Sequence, residues 1–391
     1  MMQTISLKKL FYFEKTPLNL VMAFTTVALL AAFAAGAVAY ILHGHHVYNV
    51  TRQHPWGLLI AMYVFFVVSS TGLCIISSIG HVFGIPEFQQ IGKRAIAGAI
   101  ITISSGFAVI GLEIGHPMTM LIYNVLTPGL TSAIWWMGTL YGLYLTFICL
   151  EFFFLAIKVN HTFSKIFGIC GLLVGLAAHS NLGAVFGFLI SRPSANGVFY
   201  PVYFILSAMI TGCYLVFLMY GFRYKMNFPE KVSVMLVKLA KILGMLLAVL
   251  IFFEAWKIIT ALYGDMPERA ETILHATKSP TFWFGELILG MLIPFTIILV
   301  SNAKAIKATV YASISGMVGI FFMRYDLVHD TLLYPMTTLK RAEYQLAPTF
   351  VNYFPSAAEF AIGFGGIGLA LFMYYLADKV FNLDDTESAH H

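Results

Sequence analysis

Charge is what this chain has least of. Only 10% of its 391 residues are Asp, Glu, Lys or Arg, against about 25% in soluble domains. With a mean hydropathy of +0.83, that excludes an ordinary soluble protein. The four cysteines, Cys74, Cys149, Cys170 and Cys213, sit singly in apolar runs without a CxxC pair. They read as small buried residues and argue against a thiolate-ligated iron–sulfur or zinc site. Histidines are too sparse inside spans for two bis-histidine haems: only His179 lies well inside one, with His81 and His116 at ends. Those at 43, 45, 46 and 54 share a loop without cysteines or close carboxylates, so solvated or docking roles suit them better than a metal. No basic stripe interleaved with aromatics points to nucleic acid. The N-terminus also lacks a cleavable signal pattern, since Lys8, Lys9 and Lys15 precede a run too long for one.

What is there is a series of apolar runs, each long enough to cross about 30 Å of hydrocarbon. Ten spans are expected, over 18–42, 56–83, 93–114, 133–157, 163–190, 199–222, 232–262, 280–302, 307–325 and 353–378. The fold class is therefore an all-α polytopic membrane protein, one integral membrane domain over 1–391. Thirteen Lys and Arg fall on the N-terminal side of the spans and seven on the other, which predicts both termini in the cytoplasm and a cell (inner) membrane location. The longer loops, 43–55, 115–132, 263–279 and 326–352, then face outward. Tyr334-Pro335 and Lys340-Arg341 give the last of these the look of an external docking surface. The acidic tail over 379–391, with Asp384-Asp385-Thr386-Glu387, reads as flexible.

An internal repeat runs through the spans. Tyr63 with Thr71-Gly72 in span 2 matches Tyr203 with Thr211-Gly212 in span 6, at an offset of 140, and Glu113 matches Glu254 at 141. Two four-helix bundles follow, spans 2–5 (56–190) and spans 6–9 (199–325), flanked by spans 1 and 10.

Ionisable residues inside spans are costly and so are functional candidates. Glu113 and His116 stand three apart where span 3 gives out, a spacing that puts a carboxylate and an imidazole on one helix face and suits proton exchange. His179 follows the small residues Gly171, Gly175, Ala177 and Ala178. That leaves room beside the ring for a ligand, or makes it a hydrogen-bonded core histidine. Glu151 reads either as an inward proton relay or as a partner of Lys158. Glu254, Lys257, Glu286, Arg324, Asp326 and Glu359 form either a satisfied structural network or a proton path. Acid/base groups without a resident redox cofactor suit a quinone site, and would also suit a secondary or proton-linked transporter.

These residues resemble a family, the polysulfide reductase membrane subunit or NrfD family. Pro55-Trp56-Gly57 resembles its Pro-Trp-Gly opening, and Glu113-Ile114-Gly115-His116-Pro117 its Asp-x-Gly-Arg-Pro signature, followed by Thr131-Ser132 and Trp135. Ser191-Arg192-Pro193, Asn196-Gly197, Pro201 and Ser207 resemble its link between bundles. Ten spans look more like the longer branch, which includes the hydrogenase-2 membrane subunit, than the eight-helix form. The resemblance implies a haem-free anchor exchanging electrons between quinone (menaquinone or ubiquinone) and a ferredoxin-like iron–sulfur subunit docked outside, with further catalytic or cytochrome subunits. It would place Glu113, His116 and His179 at the quinone, with Trp56, Tyr63 and Arg192 nearby. Glu113 stands where the family has Asp and His116 where it has Arg; a histidine can titrate where an arginine cannot, so the fixed ion pair that the resemblance implies becomes here either a proton exchanger or only a weaker ion pair.

Overall fold

A computed structural model describes residues 16–157, 161–192, 194–334, 350–381 and 383. The expectations attached to Lys8, Lys9, Lys15, Lys158, Pro193, Pro335, Lys340, Arg341 and the tail from Asp384 lie outside the described residues. Among those described, the secondary structure is helical throughout. The helices are α1 (Pro17–His43), α2 (Leu58–His81), α3 (Gly92–Glu113), α4 (Pro117–Leu126), α5 (Ala133–Ile157) and α6 (His161–Gly187). They continue with α7 (Phe199–Arg223), α8 (Glu230–Tyr263), α9 (Pro267–Ala276), α10 (Thr281–Val300), α11 (Ile306–Leu332) and α12 (Ala357–Phe381). Ten are long and apolar enough to cross a membrane, all except α4 and α9. The protein is an integral membrane protein of about ten spans.

Sequence chemistry sets the ends. Thr16 caps α1, its Oγ1 accepting from the Asn19 amide at 3.2 Å, with Pro17 in the first turn. α12 opens on a capping box: the Glu359 carboxylate accepts from the Ser356 amide at 2.9 Å, and Ser356 Oγ accepts from the Glu359 amide at 3.2 Å. Two helices were not expected. Pro117 and Pro267, each in a first turn, start α4 and α9 inside segments read as loops. α11 also runs seven residues past its expected end at 325, because Arg324, Asp326 and their neighbours turn inward instead of marking a loop.

α2 is the centre, packed on α3, α6, α7, α11 and α12. It crosses α7 with backbones in contact: a Cβ on Gly72 would fall 2.1 Å from the Ala208 carbonyl oxygen, and one on Gly212 2.2 Å from the Gly72 carbonyl oxygen. The repeat-related glycines thus meet each other, and Thr71 and Thr211 each bond back to the carbonyl four residues earlier.

α10 begins as a π-helix over Thr281–Leu292. Ile293 N–H still bonds to the Ile288 carbonyl in that pattern, but Pro294 has no N–H to continue it. The carbonyls of Leu289 and Gly290 are taken instead by Ser315 Oγ at 2.8 Å and the Tyr214 hydroxyl at 2.9 Å. Gly316 makes way for the Tyr214 ring.

Two faces follow from the contacts. One carries the segments after α1, α3, α6, α8 and α11, and is called here the loop face; the other carries the N-terminal end of α1 and the C-terminal end of α12, where Arg94 pairs with Asp378 at 2.9 Å.

Candidate functional site

Glu113 is the last residue of α3. Ile114 turns extended (ψ 119°), and Pro117 disfavours helical geometry at His116 (φ −133°, ψ 67°). The helix therefore stops between the two residues, which corrects the expectation that they share a helical face. His116 is exposed, whereas Glu113 is buried, its Oε2 without a hydrogen-bond partner among the described residues. Over this helix end lie Tyr48, donating to the Leu112 carbonyl at 3.0 Å, and Tyr40, donating to that of Ile114 at 3.4 Å. Their rings stack at 5.7 Å.

His179 is fully buried. Its Nε2–H donates to the Phe204 carbonyl at 3.1 Å and its Nδ1 accepts from the Tyr141 hydroxyl at 3.0 Å, which fixes a neutral tautomer. The small residues before it leave no open space at those positions: Ile148 packs on Gly171 and the Tyr144 ring on Gly175. Trp56 leads to the imidazole from the loop face through Phe186 (5.5 Å), Phe204 (6.0 Å) and then His179 (5.5 Å). Tyr63 is buried within electrostatic reach of Tyr141.

At the rim, Arg192 donates to the Tyr334 carbonyl at 2.5 Å and the Gln53 carbonyl at 3.5 Å, tying three loop-face segments together. Burial lowers its pKa. His54 departs from the solvated role expected of it. It is 1% exposed, stacked on Tyr353 at 4.3 Å, with both ring nitrogens unpartnered among the described residues. Burial, reinforced by nearby His329 and Arg192, holds its pKa down to about 4. His43, His45 and His46 are exposed. The Tyr353 hydroxyl donates to Glu359 and accepts from the Leu58 amide at 2.7 Å, and Gly57 leaves room for both groups. Glu359 is thus bound into a capping network that also takes the Asn49 amide at 3.0 Å.

A second cluster lies between α7, α8, α10 and α11. The Tyr203 hydroxyl reaches Glu254 at 3.3 Å and Glu286 at 3.2 Å; Lys257 pairs with Glu254 and lies 3.9 Å from Glu286. Arg324 donates to Ser207 Oγ and packs over the Phe204 ring at 4.5 Å. Beside the cluster, a cavity of about 50 Å³ is lined in part by Tyr203, Lys257, Glu286 and Asp326, and buried Asp326 Oδ2 has no partner among the described residues. That volume suits one or two waters.

On the N-terminal face Glu151 meets His81 at 2.9 Å, and His81 Nε2 meets Ser164 Oγ at 3.1 Å. Tyr141 escaped the sequence reading, which placed His81 at a span end and did not pair it with Glu151. The sequence carries no signal for Tyr141: at the offset of 141 that relates Glu113 and His116 to Glu254 and Lys257, it falls opposite Phe282, which is not ionisable. The structure brings together Tyr63, Tyr141 and His179, and separately Tyr203, Glu254, Lys257 and Glu286; it does not join Glu113 to His116. Among the described residues, no three His, Cys, Asp or Glu gather into a metal-binding group.

Comparison with known proteins agrees with this architecture. The chain is 26% identical, over 386 aligned residues covering 95% of it and 96% of the relative, to the Hdr-like menaquinol oxidoreductase integral membrane subunit of Archaeoglobus fulgidus. It is 23% identical to a subunit of the selenate reductase of Mesobacillus selenatarsenatis over 382 residues, 85% of this chain and 88% of the relative. A protein of Nitratidesulfovibrio vulgaris is 23% identical over 328 residues, 80% and 81% of the two chains. The family profile described as polysulphide reductase, NrfD, matches residues 45–335, most of the ten-span body with its Glu113 helix end and its Tyr141–His179 pair, and the chain belongs to that family.

Proposed function

We propose that this chain is the quinone-reactive membrane subunit of a multi-subunit respiratory oxidoreductase. The observation that carries the reading is the neutral Tyr141–His179 pair, buried inside a span and reached from Trp56 through two phenylalanines, in a family whose Archaeoglobus relative is named a menaquinol oxidoreductase subunit. The residues fit a quinone: Glu113 offers a buried, unpartnered carboxylate oxygen at the same end of the fold. When bound, a quinone supplies two-electron, two-proton exchange.

In this reading Glu113 accepts or donates a proton at Oε2, and Trp56 and Tyr63 position the ring. His179 Nδ1, an acceptor in the neutral ring, takes the Tyr141 hydroxyl proton and returns it. Arg192 holds the rim. Three separate hydroxyl-bearing groups lie on the way to the other face: Thr71 beside Tyr141, Ser70 with Tyr144 at 3.0 Å, and the Glu151–His81–Ser164 group. In this reading Glu151 is an inward proton relay, supported by these groups standing between it and His179. Glu254, Lys257, Glu286, Arg324 and Asp326 form a second, hydrated proton reservoir.

We read α2, α3, α5 and α6 as one four-span unit and α7, α8, α10 and α11 as another, flanked by α1 and α12. The N-terminal face is cytoplasmic, and a ferredoxin-like iron–sulfur subunit docks on the loop face. The transporter reading needs a broken helix whose freed carbonyls face a substrate. Those freed at Pro294 are already bonded to Ser315 and Tyr214, which favours the quinone.

The test is quinol-dependent turnover of the purified complex with His179→Ala and Glu113→Gln. Losses of roughly 100-fold or more are expected for a positioned proton partner; wild-type rates in both variants would end the proposal. Glu151→Gln should lower the proton-to-electron ratio, and an unchanged ratio removes the relay.

A further inference from the structure

Four spans meet around one groove on the N-terminal face. α7 and α10 arrive there, and α8 and α11 leave. Both arriving helices stop in the same way. Met226 N–H bonds to the Gly221 carbonyl at 3.1 Å and Ala303 N–H to the Ile298 carbonyl at 2.9 Å. Each bond closes over a pair of left-handed residues, Lys225 (φ 47°) with Met226 (63°) and Asn302 (49°) with Ala303 (61°). The helix ends therefore satisfy carbonyls internally, and the groove keeps the character of its side chains.

The groove is open and has a volume of about 920 Å³. Phe228, Pro229 and Ile306 give it apolar walls, and Lys304 and Lys307 stand exposed at its edge. Over 223–231 and 301–307 the sequence sets five basic residues, Arg223, Lys225, Lys231, Lys304 and Lys307, against the single acid Glu230. Position and charge together select the occupant. The ends of apolar spans lie where hydrocarbon gives way to headgroups, so this groove opens onto a lipid leaflet. Apolar walls suit an acyl chain, and a basic edge suits a phosphate. The first amides of α8 and α11 have no side-chain cap and add partial positive charge.

We propose that the groove between the α7–α8 and α10–α11 loops binds an anionic phospholipid, its phosphate held by Lys304 and Lys307 and an acyl chain laid against Phe228 and Ile306.

The test uses the full chain, purified and delipidated in detergent, titrated with phosphatidylglycerol or phosphatidylcholine in mixed micelles and read by native mass spectrometry and thermal shift. Phosphatidylglycerol is expected to bind and stabilise, phosphatidylcholine far less. Lys304→Gln with Lys307→Gln should weaken phosphatidylglycerol binding roughly 25-fold, about fivefold per lysine, and Lys304→Arg with Lys307→Arg should restore it. Lys238→Gln, a lysine paired with Glu87 away from the groove, should change nothing. Should the glutamine variant fail to fold, wild-type binding must still weaken as NaCl rises from about 50 to about 500 mM. Equal binding of the two lipids, an unaffected glutamine variant, or salt-independent binding would overturn the proposal. So would inorganic phosphate alone giving the full thermal shift, which would mark a free-anion site, or an acidic polypeptide occupying the groove in the purified protein.

Discussion

Changing Tyr141 to Phe removes one oxygen atom and keeps the ring, which is fully buried. His179 Nδ1, 3.0 Å from that oxygen and fully buried, is left as an acceptor with no donor, while Nε2 keeps the Phe204 carbonyl. A buried polar atom stripped of its partner costs about 1–3 kcal/mol, far more than the packing lost with a single oxygen. Tyr141→Phe should therefore lower the unfolding free energy of the chain by about 2 kcal/mol. Because the hydroxyl is also the proposed proton partner of the imidazole, quinol-dependent turnover should fall roughly 100-fold. The decisive assay is a double-mutant cycle with His179→Ala, measuring thermal stability and turnover of all four forms. Once the imidazole is gone, removing the hydroxyl should matter little, giving a coupling of about 1–3 kcal/mol. Strictly additive effects would refute the reasoning, as would a destabilised Tyr141→Phe variant that turns over at the wild-type rate.

Three further outcomes follow from the geometry. Gly72→Ala should abolish monodisperse protein on size exclusion, because its Cβ would enter the Ala208 carbonyl; Gly111→Ala, where a Cβ meets nothing within 4 Å, should behave as wild type. Ser356→Ala should cost about 0.5–2 kcal/mol by removing the cap of α12, and an unchanged melting temperature would count against the capping box. His54 should make the fold acid-sensitive. Its pKa drops from 6.5 to about 4 on folding, so the unfolded chain gains a proton between those values and the folded chain does not. The stability of keeping it neutral is present above about pH 6.5 and is lost as pH falls toward 4. His54→Phe, which retains a ring against Tyr353, should flatten the melting temperature between pH 7 and pH 4.5; an unaltered slope would remove His54 from the account.

Spans were legible because hydrocarbon imposes length and apolarity on every crossing helix, and a run of twenty such residues is hard to miss. The short helices were not, because α4 is as apolar as a span but half as long, and its only start signal is Pro117. The end of α11 was misplaced for a related reason. Arg324 and Asp326 read as a water boundary, yet Ser207, Phe204 and the neighbouring cluster hold them inside the protein. Site residues divided along the same line. Glu113 and His179 stood out because charge and imidazole are rare in spans, whereas Tyr141 is one of 20 tyrosines and its importance depends on facing His179 from another helix. His54 was misjudged because a loop position predicts solvent, and the cover that buries it comes from Tyr353, almost 300 residues away.

The contact of Gly72 with Gly212 leaves no layer of side chains between α2 and α7. A seam of bare backbone cannot slide by small steps, because any shift along it drives a carbonyl oxygen into the opposite chain. The two helices therefore keep one register or part altogether, and the height of every buried group on α7, from Tyr203 to Tyr214, is set by α2 rather than by its own surroundings.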